Sequence, residues 1–185
     1  MRAFFLSNSR IEKSTLVFWR IMERILKFYK IYQRLSKLSF SWGALIWAGG
    51  IFAFFFLRTS PVWYGLSFPF FFLGIIQMGG AFRDYFSADE RIRFMQRIES
   101  PSLVELKSSE KNFAEDVLRQ GKTSRQAKLL LFVFGILLCI SAVLGKWGGF
   151  SIGSGFGISL QSAVMLIFNL IKEYQFGVFH HETGK

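Results

Sequence analysis

The sequence predicts an all-α membrane protein: four transmembrane helices as two antiparallel hairpins, with amphipathic helices on the cytoplasmic side. Three observations predict it. Residues 40–57, 61–82, 129–145 and 150–171 carry no formal charge, and each run is long enough to cross a hydrocarbon core as a helix. Only Arg58-Thr59-Ser60 separates the first two runs, and only Lys146-Trp147-Gly148-Gly149 the last two, so each pair must fold back on itself. The basic residues keep to one side of that arrangement: residues 1–39 hold nine Lys/Arg against two Glu, and residues 83–128 hold ten against eight acids.

That distribution decides what a net charge of +11 means. Nineteen of the 23 basic residues lie in two segments that two hairpins place on the same side. The bias of Lys and Arg toward cytoplasmic connections then puts both termini and the central connector in the cytoplasm. It argues against nucleic acid as the partner and for anionic membrane lipid. With 51% hydrophobic residues and 24 Phe, most apolar material is needed on lipid-facing surface. One compact membrane domain is expected, with no separate globular one. Residues 1–6 are too short an apolar run for a signal peptide, so the first span directs insertion.

Residues 1–39 read as a basic amphipathic helix before the membrane. Ser9-Arg10-Ile11-Glu12 fits a capping box, in which serine and glutamate satisfy free amides at a helix start. Lys13, Arg20, Arg24, Lys27, Arg34 and Lys37 then recur on one face, and Phe18, Met22, Ile25, Tyr29 and Tyr32 on the other. Such a helix suits a lipid headgroup boundary, with Arg20, Arg24, Lys27, Arg34 and Lys37 as headgroup contacts. Packing of the aromatic face on the central connector or on another protein is the alternative.

The first hairpin occupies residues 40–82. Ser60-Pro61 is a good helix start, a capping hydroxyl followed by a residue with no amide to satisfy. Pro69 lies inside the second span, where it removes one backbone hydrogen bond and favours a kink. Trp63, Tyr64 and Trp147 fall near the outer ends, as interfacial aromatics do. In residues 83–128, Ser87-Ala88-Asp89-Glu90 and Ser102-Leu103-Val104-Glu105 are capping boxes, so two helices divided at Pro101 are expected. Gly121 is expected to end the second of these, with a basic run to Lys128 leading into the third span. Residues 129–171 form the second hairpin and residues 172–185 a solvated tail. Arg83-Asp84-Tyr85 and Lys172-Glu173-Tyr174 end the second and fourth spans alike, a pattern compatible with duplication.

Two features stand out within the spans. Gly149, Gly153 and Gly157 are four apart, and Ser151, Gly155, Ser159 and Ala163 form a second row on an adjacent face. Small residues at this spacing let another backbone approach closely, where packing replaces the hydrophobic drive that lipid removes. Gln77, Gln161 and Asn169 are the polar side chains at depth; an amide in hydrocarbon must find a partner, so all three should face the interior.

Catalytic chemistry finds no support. No Asp, Glu, Lys, Arg or His lies inside any uncharged run, where proton relays and ion-coupled carriers place one. Cys139 is the sole cysteine and reads as a small apolar filler. His180 and His181 sit near the terminus, too few for haem or a nucleophile system and a weak metal site at most. No cofactor or metal is expected. Asp84, Asp89, Glu90 and Glu173 lie at the cytoplasmic boundary, where they read as salt-bridged interfacial charge.

Residues 64–69, 74–77 and 153–165 carry a resemblance. Tyr64-Gly-Leu-Ser-Phe-Pro69, Gly74-Ile-Ile-Gln77 and the Gly153 to Met165 segment resemble an uncharacterised group of small bacterial four-span membrane proteins. The resemblance covers residues 64–174 and implies a four-span fold in a bacterial cytoplasmic membrane, with no activity to import. An aspartate often stands in that group where this chain has Asn169, so an acidic role there does not carry over. The expectation is a non-enzymatic accessory or scaffold subunit that associates with other membrane subunits or with itself. The alternatives are a homo-oligomeric channel or lipid or small-molecule transporter lined by Gln77 and Gln161, and a lipid-headgroup enzyme using Asp84 and Glu173.

Overall fold

The structure, a computed structural model, describes residues 2–97 and 103–183, with side chains described over 18–97 and 108–179. It consists of four helices, α1 (Arg2–Phe56), α2 (Pro61–Arg97), α3 (Leu103–Leu144) and α4 (Gly149–Thr183). All four are long and apolar enough to cross a membrane. At 1.5 Å per residue even α4 is about 50 Å long, well beyond a ~30 Å hydrocarbon core. Every helix therefore carries its span and an extension as one piece. The extensions gather at the end opposite the two tight turns.

This continuity corrects several expectations. Ser9 lies within α1 and Ser87 within α2, so neither starts a helix, and α3 runs through Gly121. Capping patterns are local signals, and nothing between Phe82 and Arg97 breaks the helical path that Ala88, Ile92 and Met95 follow into a shared core. Gly121 costs α3 about 1 kcal/mol of propensity, which tertiary contact outweighs: its carbonyl accepts from Asn169 Nδ2 at 3.2 Å. A single helix from Arg2 to Phe56 cannot lie along the membrane and cross it too, so the amphipathic arm extends the span. The Ser102–Glu105 capping box, Pro101, Lys13 and the His180-His181 pair have side chains outside the described residues.

The expectation that little apolar material is left for a core outside the spans does not hold. Ile25, Phe28, Tyr29 and Tyr32 of α1, Ala88, Ile92 and Met95 of α2, Ala114 of α3, and Phe176 and Phe179 of α4 form one buried cluster in the extensions. Phe28 stacks on Phe179 at 4.3 Å between centroids and meets Phe176 edge-on at 4.8 Å. Residues 172–179 are thus part of this head rather than a solvated tail. Arg20, Arg24, Lys27, Arg34 and Lys37 are all exposed on the outer face of the α1 extension. The alternative of packing on the connector is the arrangement found for its aromatic face.

Within the membrane level the helices approach through glycines. α1 packs on α2, α2 on α4 and α4 on α3. A Cβ on Gly43 would stand 3.2 Å from the Gly74 carbonyl oxygen, and one on Gly74 3.1 Å from that of Gly43. The α3 span is the most exposed, with Leu130, Phe134, Leu137, Val143 and Leu144 all open. The hairpin turns are short. Ser60 N–H donates to the Leu57 carbonyl at 3.1 Å, and the Ser60 carbonyl accepts the first bond of α2 from Tyr64 at 3.0 Å. Lys146 adopts φ 51°, and Trp147 N–H donates to the Ala142 carbonyl at 3.1 Å. That is a left-handed helix cap in which lysine stands where glycine is preferred.

Candidate functional site

The two rows of small residues on α4 serve two different neighbours. Gly149, Gly153 and Gly157 face α2: a Cβ on Gly153 would collide with the Val62 carbonyl oxygen, and one on Gly157 would stand 3.2 Å from the Pro69 ring. Gly155 and Ser159 face α3, where a Cβ on Gly155 would lie 2.8 Å from Cys139 N and 2.9 Å from the Gly135 carbonyl oxygen. Ala163, further along the same row, is half-buried. The glycines of both rows, and Ser159, are thus spent on contacts within the chain. Their partners Gly65 and Gly135 did not stand out in the sequence, nor did Gly43 and Gly74, which meet each other between α1 and α2. Gly135 and Cys139 are a small-residue pair four apart, and that spacing was the available signal.

Pro69 explains one polar contact at this seam. A proline deprives the carbonyl four residues earlier of its donor, and here that carbonyl belongs to Gly65. Ser154 Oγ on α4 donates to it at 3.0 Å. The backbone group freed by the proline is therefore satisfied by the neighbouring helix, as a hydrocarbon environment requires.

The intramembrane amides fall into two clusters. Gln161 Nε2 on α4 donates to Gln77 Oε1 on α2 at 2.7 Å. Gln77 Nε2 donates in turn to the Ser39 carbonyl at 3.1 Å and to Ser39 Oγ at 3.3 Å on α1. All three residues are buried, and this relay ties three helices together. Gln161 Oε1 and Ser162 Oγ are buried without a donor or acceptor among the described residues. Asn169 stands apart, nearer the head. Its Nδ2 donates to Glu173 Oε1 at 2.7 Å, and its Oδ1 accepts from Lys128 Nζ at 2.9 Å.

Around Asn169 the boundary charges pair across helices. Lys172 Nζ meets Asp84 Oδ2 at 2.6 Å, joining α4 to α2. Arg125 meets Glu173 at 2.8 Å, joining α3 to α4. Asp89 pairs with Arg93 at 2.8 Å and accepts from Gln33 Nε2 at 3.1 Å. Glu90 is exposed. Lys128 precedes its span by one residue. Burial and the neighbouring Lys172 ammonium disfavour its charge, while Asp84 and Glu173 favour it. Among the described residues no carboxylate stands within ion-pair distance of it.

These groups line a cavity of about 550 Å³ that opens between α2 and α3. Ile76, Met165 and Phe168 line its membrane side, Gln77, Ser39 and Asn169 its middle, and Arg83, Asp84, Asp116, Lys128, Lys172 and Glu173 its head side. The cavity thus grades from apolar to charged at the level where the uncharged runs end.

Deeper in the head, one buried charge is enclosed. Glu110 is 1% exposed. Its Oε2 accepts from the Tyr29 hydroxyl at 2.6 Å, and its Oε1 lies 3.5 Å from Arg91, which also sits over the Phe113 ring. Burial pushes the Glu110 carboxyl above its usual range, and the Tyr29 donor and Arg91 oppose that rise without cancelling it. Tyr29 is raised by burial first and by Glu110 second. The sequence left this trio unnoticed, since its members lie in three separate segments. Among the described residues no cluster of His, Cys, Asp or Glu has the makings of a metal site. No family model, curated protein or solved structure matches the chain.

Proposed function

We propose that the chain is a non-enzymatic scaffold subunit of a bacterial cytoplasmic membrane, with both termini and the head on the cytoplasmic side. The observation that carries the reading is the unbroken passage of four helices from span to head. A head joined to its anchor by four continuous helices has no hinge, so it presents its surface at a fixed height and orientation. That suits positioning another subunit better than gating or turnover, which need a moving element. The basic outer face of α1, from Arg20 to Lys37, supports cytoplasmic placement and a headgroup or acidic-protein contact. The Gln77–Gln161 pair supports a tie between helices: the two amides bond to each other, and only Gln77 also reaches the cavity.

The test is crosslinking in the native membrane. Photo-crosslinkers at exposed head positions such as Arg24, Arg93 and Lys111 should join the chain to one other polypeptide in a position-dependent pattern. The same crosslinkers placed at the turn residue Thr59 should not. Crosslinks to lipid alone at every head position would overturn the scaffold reading.

A further inference from the structure

The cavity between α2 and α3 is lined by three cations, Arg83, Lys128 and Lys172, and three carboxylates, Asp84, Asp116 and Glu173. Asp84 is engaged by Lys172 at 2.6 Å and Glu173 by Arg125 at 2.8 Å. Lys128 is left with a neutral partner, the Asn169 amide oxygen at 2.9 Å. A half-buried ammonium has three donors, and one bond to an amide leaves two unspent. Asp84 and Glu173 favour its charge only from beyond ion-pair distance, and each is already engaged by another cation, so an anion supplied from outside relieves part of the cost of its burial. Below Lys128 the same cavity continues to Ile76, Met165 and Phe168, a wall no small hydrophilic anion would use. Its volume, about 550 Å³, lies within the range of ligand pockets, ~300–1,000 Å³.

We propose that this cavity binds an anionic amphiphile, a headgroup phosphate or carboxylate oxygen resting on Lys128 Nζ and the first part of an acyl chain lying along Ile76, Met165 and Phe168. Asn169 is a positioning residue in this arrangement: bonded to Glu173 and to the Gly121 carbonyl, it holds Lys128 at the cavity. The site is independent of the scaffold reading, since a bound lipid neither requires nor supplies a protein partner. The source of the anion is either a membrane lipid or a free phosphate, and these differ in whether the acyl chain matters.

Native mass spectrometry of the full chain, released from detergent micelles containing equal amounts of phosphatidylglycerol and phosphatidylcholine, tests it. The wild type should retain one phosphatidylglycerol at least ten-fold over phosphatidylcholine. Lys128→Gln should abolish that preference, and Lys122→Gln, an exposed lysine on the same helix, should leave it intact. Ile76→Trp, which fills the apolar end without touching a charge, should lower retention of both lipids. Equal retention of the two lipids by the wild type would overturn the proposal, as would unchanged selectivity in Lys128→Gln. Displacement of phosphatidylglycerol by millimolar inorganic phosphate would overturn the amphiphile and leave a free-anion site. Loss of the scaffold's crosslinks would not bear on any of these outcomes.

Discussion

Replacing Tyr29 with phenylalanine removes one oxygen from the interior of the head and nothing else. Tyr29 is fully buried, and its hydroxyl donates at 2.6 Å to a carboxylate that is itself 1% exposed. No cavity opens, because the ring stays. What is lost is a hydrogen bond to a charged group, about 1.5–3 kcal/mol, or roughly 10–150-fold in the folding equilibrium. The remaining contact to Arg91, at 3.5 Å, is too long to replace it. The pH dependence has a definite sign. Glu110 is raised in the folded state above its usual value of 4.5, so the stability linked to its proton is present below that value and is lost as pH rises through the raised one. The Tyr29 bond is one of the two influences that lower it, so Tyr29→Phe moves the folded value further up and extends the loss to higher pH. Amide hydrogen exchange in nanodiscs, corrected for intrinsic rates, reads this directly. Amides of residues 25–32, 88–95, 110–118 and 176–179 should lose protection together, more at pH 7 than at pH 4.5. A loss under 0.5 kcal/mol, or one equal at both pH values, would refute the assignment of a buried carboxylate held by Tyr29.

Four further outcomes follow from the packing. Gly153→Val places side-chain carbon against the Val62 backbone carbonyl and should separate α2 from α4, lowering resistance to unfolding in dodecyl sulfate titrations by more than about 2 kcal/mol. Gly79→Ala, with nothing within 4 Å, should be neutral or gain up to about 1 kcal/mol in the same titration. Ser154→Ala orphans the Gly65 carbonyl and should cost about 0.6–1.7 kcal/mol, whereas in a Pro69→Ala background, where the amide donor returns, the same change should cost less. Lys146→Gly relieves a left-handed backbone at φ 51° and should stabilise the second turn by about 1 kcal/mol in thermal unfolding.

The spans were legible because the signal is physical and long: some twenty residues without charge have few fates besides hydrocarbon. The glycine rows on α4 were legible for the same reason, since spacing of four on a helix defines a face before any neighbour is known. What neighbour each row meets was not: Val62 carries no mark of its role, and the Gly135–Cys139 spacing on α3 was a signal that went unread. The head was legible only in part: packing of the aromatic face of residues 18–32 on the central connector was open as an alternative, but the contribution of residues 172–179 was not foreseen. Ile25, Met95, Ala114 and Phe176 are scattered through charged segments, and no single segment looks like a core until four are laid side by side. Phe176 and Phe179, three apart in a stretch read as tail, were the clue within reach. Ser87 and Gly121 misled because local capping and breaking preferences amount to about 1 kcal/mol, less than the packing that carries α2 and α3 past them. The cavity depends on how far α2 stands from α3, a tertiary quantity with no local trace.

The topology proposed here has four helices crossing the lipid and all four extensions emerging on one side as a single head. Single cysteines introduced in a Cys139→Ser background at the exposed positions Arg20, Glu90, Thr59 and Lys146 test it in sealed vesicles with a membrane-impermeant maleimide. Positions 20 and 90 should label from the same side and positions 59 and 146 from the other. Labelling of 20 and 90 from opposite sides, or of 59 and 90 from the same side, would contradict it.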